Sequence, residues 1–65
     1  MSANAALTNL LLDVHHVRAA LSEYQRRSDE EMVRATTQHL SRLYLRIRGH
    51  CEANLIPVPL DIPPA

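Results

Sequence analysis

The chain has no tryptophan, no phenylalanine and no lysine, and only one glycine and one cysteine in 65 residues. Each shortage excludes something. A single cysteine, Cys51, cannot staple the fold with an internal disulfide. Without Trp or Phe, the aromatic share of a core falls to Tyr24 and Tyr44. One glycine, Gly49, leaves no Gly-rich loop to cradle a phosphate. No apolar run approaches the roughly 20 residues that a spanning helix needs. The N-terminus lacks the charged and apolar regions of a signal peptide. One free thiol suits a reducing compartment. The expectation is a cytoplasmic protein that does not enter a membrane.

Charge of either sign is also scarce in the net. Seven Arg balance seven Asp and Glu, for a formal charge of zero. Such a chain exerts no global pull on nucleic acid or on a membrane surface. Its length allows one small domain, and a domain this small is marginal alone. With disulfides excluded, self-association or docking on another protein is the remaining source of stability.

What is present is two heptad-spaced apolar stripes. Leu7, Leu10, Val14, Val17, Leu21 and Tyr24 recur at alternating steps of three and four, and so do Val33, Thr36, Leu40, Leu43 and Ile47. This spacing is the seam of a helix packed on another helix. At 100° per residue the two stripes point about 90° apart, so one continuous helix would smear its apolar face. A break near Arg27-Ser28 lets both stripes face inward. The pattern predicts a first helix from about Ala5 to Arg26, capped by Ser2 or Asn4, and a second from about Asp29 to Ala53.

Ser28-x-x-Glu31 reads as a capping box, with Asp29, Glu30 and Glu31 placing negative charge at the positive end of the helix dipole. Glu23 and Arg27, and likewise Glu30 and Arg34, have the spacing of i,i+4 ion pairs. Asn54 is the expected left-handed residue after the second helix. Gly49 lowers helix propensity near that end and leaves room for another backbone. If the turn lies near Ser28, residues whose numbers sum to about 56 share a level in the hairpin.

From Leu55 onward the chain changes. Pro57, Pro59, Pro63 and Pro64 alternate with Leu55, Ile56, Val58, Leu60 and Ile62. The prolines exclude helix and favour an extended path. The apolar content predicts that this segment lies against the hairpin or a dimer mate. The organisation is therefore a hairpin over residues 1–54 and a Pro-rich tail over 55–65.

Chemistry-bearing residues are few. His15, His16, His39, His50 and Cys51 invite a metal reading, but the histidines project from different sides and no metal-spaced pair occurs. Cys51 lies on the apolar side of its helix, and His50 projects elsewhere, so no Cys–His nucleophile is expected. No facing carboxylate pair exists. The reading is no enzyme, no cofactor and no metal.

His39, Arg42, Arg46 and His50 follow one flank of the second helix, and Arg42 and Arg46 have no acid three or four positions away. Leu11 and Leu12 widen the first stripe, and Met32, Tyr44 and Cys51 widen the second, beyond what two helices bury. The expected architecture is all-α: an antiparallel hairpin pairing as a homodimeric four-helix bundle. Its dimer and core residues are Leu7, Leu10, Val14, Val17, Leu21, Tyr24, Val33, Leu40, Leu43 and Ile47.

Leu11, Leu12, His39, Arg42, Tyr44 and Arg46 are the expected partner-binding residues, because aromatic and Arg side chains anchor interfaces. The expected function is to bind a partner protein and modulate or stabilise it. The alternatives are an RNA-binding hairpin using Arg42 and Arg46, and a structural subunit of a larger assembly. Balanced charge and the lack of an exposed aromatic for base stacking weigh against nucleic acid.

Overall fold

A computed structural model describes residues 3–63. It is all-helical among those residues, with α1 over Ala3–Arg26 and α2 over Glu30–Ala53 packed against each other. Ser2, one of the two expected caps, and Pro64 at the end of the tail lie outside the described residues. Asn4 is inside α1 instead of capping it, and its carbonyl accepts from the Thr8 hydroxyl at 2.9 Å.

The reversal takes three residues and corrects the expected capping box. Ser28 does not cap α2; it ends α1. Its φ is 57°, in the left-handed region. The Ser28 N–H donates to the Gln25 carbonyl at 3.1 Å and the Asp29 N–H to the Tyr24 carbonyl at 3.0 Å. This is a Schellman closure, which satisfies the last carbonyls of α1. An N-cap needs an extended backbone, so the role moves one residue on. Asp29 accepts from the Met32 N–H at 3.2 Å, and its own carbonyl accepts the first helical bond from Val33 at 2.9 Å. Near the end of α1, Arg27 and Glu23 pair at 3.3 Å, and Arg26 also pairs with Glu23. Among the described residues, Glu30 and Arg34 form no such pair.

The end of α2 repeats the device with a second correction. Asn54 has φ −111°, and Leu55 takes the left-handed position with φ 55°. The Ile56 N–H donates to the Cys51 carbonyl at 2.9 Å and the Leu55 N–H to the Glu52 carbonyl at 3.4 Å. Asn54 serves the helix end through its side chain, whose Nδ2 donates to the His50 carbonyl at 2.9 Å. The two closures send the chain in different directions. Beyond Ser28 it enters α2. Beyond Leu55, Ile56 turns back onto the hydrophobic cluster that holds Cys51, the apolar contact that accompanies this closure.

The core is unequally shared. Val14, Leu40, Leu43, Ile47, Cys51 and Ile62 are buried, with Ile47 and Cys51 fully so. Leu7, Leu10, Leu11, Val17, Leu21, Tyr44 and Ile56 pack against them half-buried. Tyr24 and Val33, near the turn, are half-buried outside this cluster. Of the six seam residues of α1 only Val14 is buried, whereas α2 buries Thr36, Leu40, Leu43, Ile47 and Cys51.

After Ile56 the chain turns back along the hairpin. A turn closes from the Ile62 N–H to the Pro59 carbonyl at 3.1 Å, so the segment is not extended throughout. Ile62 is 5% exposed and completes the core.

Candidate functional site

The hairpin has two long faces, and the chain treats them differently. One carries Leu11 and Arg18 from α1 and Tyr44 and Arg48 from α2, and the returning segment crosses it. The Arg18 guanidinium donates to the Tyr44 hydroxyl through Nε at 3.0 Å and Nη2 at 2.8 Å. Nη2 also donates to the Asp61 carbonyl at 2.9 Å, and Nη1 lies 3.5 Å from the Asp61 carboxylate. Arg48 Nη1 donates to the Pro63 carbonyl at 3.1 Å. One planar guanidinium thus ties both helices to the tail, a fork geometry that lysine lacks.

The bond to the Tyr44 hydroxyl raises the Arg18 pKa above its ordinary value; partial burial opposes the rise, and Asp61 adds to it. The guanidinium carbon also lies 5.5 Å from the Tyr44 ring centroid.

Outside this closure the surface stays apolar. Leu60 is fully exposed, Leu45 is 59% exposed and Val58 is 37% exposed. With Arg48, Gly49 and Glu52 they line a shallow groove between the outer side of α2 and the tail. Apart from its own helix backbone, a Cβ placed on Gly49 meets no described atom within 4 Å, so no other described segment uses the room it leaves.

Among the described residues, no segment crosses the opposite face. Near the turn it is apolar, a groove lined by Val17, Ala20 and Tyr24 of α1 and by Met32, Ala35 and His39 of α2. Toward the other end it becomes polar, lined by Asn9, Leu10 and Asp13 against Arg46, Gly49 and His50. The facing residues Leu10 and Arg46, Val17 and His39, and Tyr24 and Met32 each sum to 56. Asp13 and Arg46 line this groove, yet neither they nor Arg42 have an ion-pair partner among the described residues.

The six residues expected to bind a partner are therefore dispersed. Leu11 and Tyr44 pack on the tail-covered face, and the Tyr44 hydroxyl is engaged by Arg18. His39 and Arg46 line the open face, with exposed Arg42 one turn before Arg46. Leu12 stands half-exposed on the outer side of α1.

Three participants escape the sequence reading. Arg18 lies only about 40° around the helix from Val14, inside the apolar sector, where a charged group signals a dedicated partner. Asp61 is the only acid after Glu52. Leu45 is an apolar residue on the outer side of α2, where periodicity expects a polar one.

Among the described residues no metal-ligating group is assembled. Cys51 is fully buried, and no three His, Cys, Asp or Glu side chains converge among them. The rings of His15 and His16 approach to 5.9 Å on an exposed stretch of α1. Among the described residues no helix is long and apolar enough to cross a membrane. Comparison with protein-family models, curated proteins and solved structures finds no match.

Proposed function

We propose that this chain is a small non-enzymatic interaction module of the cytoplasm that pairs with a second copy as a four-helix bundle and binds another protein, which it modulates or stabilises. The observation that carries this reading is the half-buried seam of α1. A helix with six seam residues that buries only Val14 has apolar area left for other chains. The exposed Leu45, Val58 and Leu60 add a second apolar patch on the far side, which suits the partner protein. A structural subunit would use the same surfaces.

The RNA-binding alternative draws on Arg42 and Arg46 alone. Asp13 shares their flank and no exposed aromatic accompanies them, which favours a protein surface over a phosphate backbone.

Light scattering combined with circular dichroism on the purified chain tests this reading. The expected result is a helical dimer whose mass is little affected by salt. Leu45→Ser with Leu60→Ser leaves that mass unchanged and abolishes co-purification of the partner protein. A well-folded monomer that co-purifies with nothing refutes the proposal. An affinity for RNA that falls steeply with salt replaces it with the alternative.

A further inference from the structure

We propose that the face opposite the tail is the self-association surface, and that the two-fold axis of the dimer runs parallel to the helices. This rests on the homodimer reading above and adds the face and the axis. The occupant is a second copy of the chain.

The first argument is which area remains. The tail closes one face with Ile62, Arg18 and Asp61. The other leaves Val17 and Tyr24 half-buried and Met32 exposed, around the small Ala20 and Ala35 that let another helix approach closely.

The second argument is size. Two 24-residue helices side by side present a surface roughly 36 Å long and about 20 Å wide. That is on the order of 700 Å² per copy, near the roughly 800 Å² of a standard stable interface.

The third argument is charge, and it selects the axis. With an axis perpendicular to the helices, α1 lies on α1 of the copy. Asp13 then meets Asp13 and Arg42 meets Arg42, like against like. With an axis parallel to the helices, α1 lies antiparallel on α2 of the copy at the same level. Asp13 of one copy then sits over Arg42 and Arg46 of the other, and Tyr24 over Met32. Both stackings cover the same apolar residues, and only the second pairs charges that have no ion-pair partner among the described residues of the protomer. Both turns then lie at one end of the bundle.

Two measurements on the full chain test this. The first is pulsed electron resonance on Arg27→Cys carrying a spin label at the exposed turn, with Cys51→Ala as a background control. Turns at one end give an inter-label distance below about 25 Å, and turns at opposite ends give more than about 35 Å. The second mixes two variants. Asp13→Arg and Arg46→Asp each weaken the dimer about tenfold or more at unchanged helicity, and an equimolar mixture restores it, because each supplies the charge the other lacks.

A rescue in trans together with the short distance supports the proposal. A dimer with the long distance, or one indifferent to both charge changes, overturns the face or the axis while leaving the homodimer standing. A chain that remains monomeric overturns the homodimer reading itself.

Discussion

The two faces of the hairpin are built from the same two helices and finished in opposite ways. On one, a segment of the chain supplies the missing layer: Ile62 fills the core, and Arg18 ties Tyr44 to Asp61. On the other, comparable apolar residues stay half-exposed, and Asp13 and Arg46 have no ion-pair partner among the described residues. A two-helix unit cannot bury both flanks of its seams. This chain closes one by itself, and in the proposed dimer a second copy closes the other, so that stability and association fall on different faces.

That assignment can be broken one face at a time. Ile62→Ala removes a buried side chain from the covered face and is expected to cost about 2–4 kcal/mol. A chain of this length has only roughly 3–10 kcal/mol in total, so urea denaturation should show a large loss. Arg18→Ala removes the fork on the same face and should cost about 1 kcal/mol. Arg18→Lys should recover little of it, because an ammonium cannot hold Tyr44 and Asp61 in the same planar arrangement. A Lys variant as stable as the parent would show that the fork adds nothing beyond charge.

Leu55→Gly should stabilise by about 1 kcal/mol, since φ is 55° and the side chain is 92% exposed. Gly49→Ala should add about 0.5–1 kcal/mol, because its Cβ meets nothing. If Gly49→Ala instead weakens partner binding at unchanged helicity, the bare patch on α2 belongs to the partner site.

The two faces also differ in how far the sequence makes them legible. Stripe spacing encodes the helices and the register, because 3.6-residue periodicity is local: Tyr24 faces Met32 and Leu10 faces Arg46 as the sum near 56 requires. The turn is legible in position and misread in chemistry. Ser28 and Asp29 are both good caps, and only the demand for a left-handed residue to end α1 hands the cap to Asp29.

At Asn54 and Leu55 the same demand overrides residue preference. Asn is the better left-handed residue, yet Leu55 takes the position, which directs Ile56 onto the core. The tail closure is the least legible part. Arg18 and Asp61 are 43 positions apart, and no periodic signal connects a helix to a Pro-rich segment at that distance. The same holds for the partner-binding set, since periodicity cannot tell which flank the tail will cover.

The turn at Ser28 also sets an order of events. Contacts between the helices begin a few residues apart at the turn and lengthen stepwise away from it, a sequence of short loop closures that favours rapid zipping. The tail can dock only after both helices are in place, because Arg18 must already lie beside Tyr44. It should also be first to leave. Its attachment is Ile56, Ile62 and a few exposed hydrogen bonds, so the amide of Ile62 should exchange with solvent well before that of Ile47, at a fraction of the global unfolding free energy. The chain then visits a form in which the hairpin persists and both of its faces are open at once.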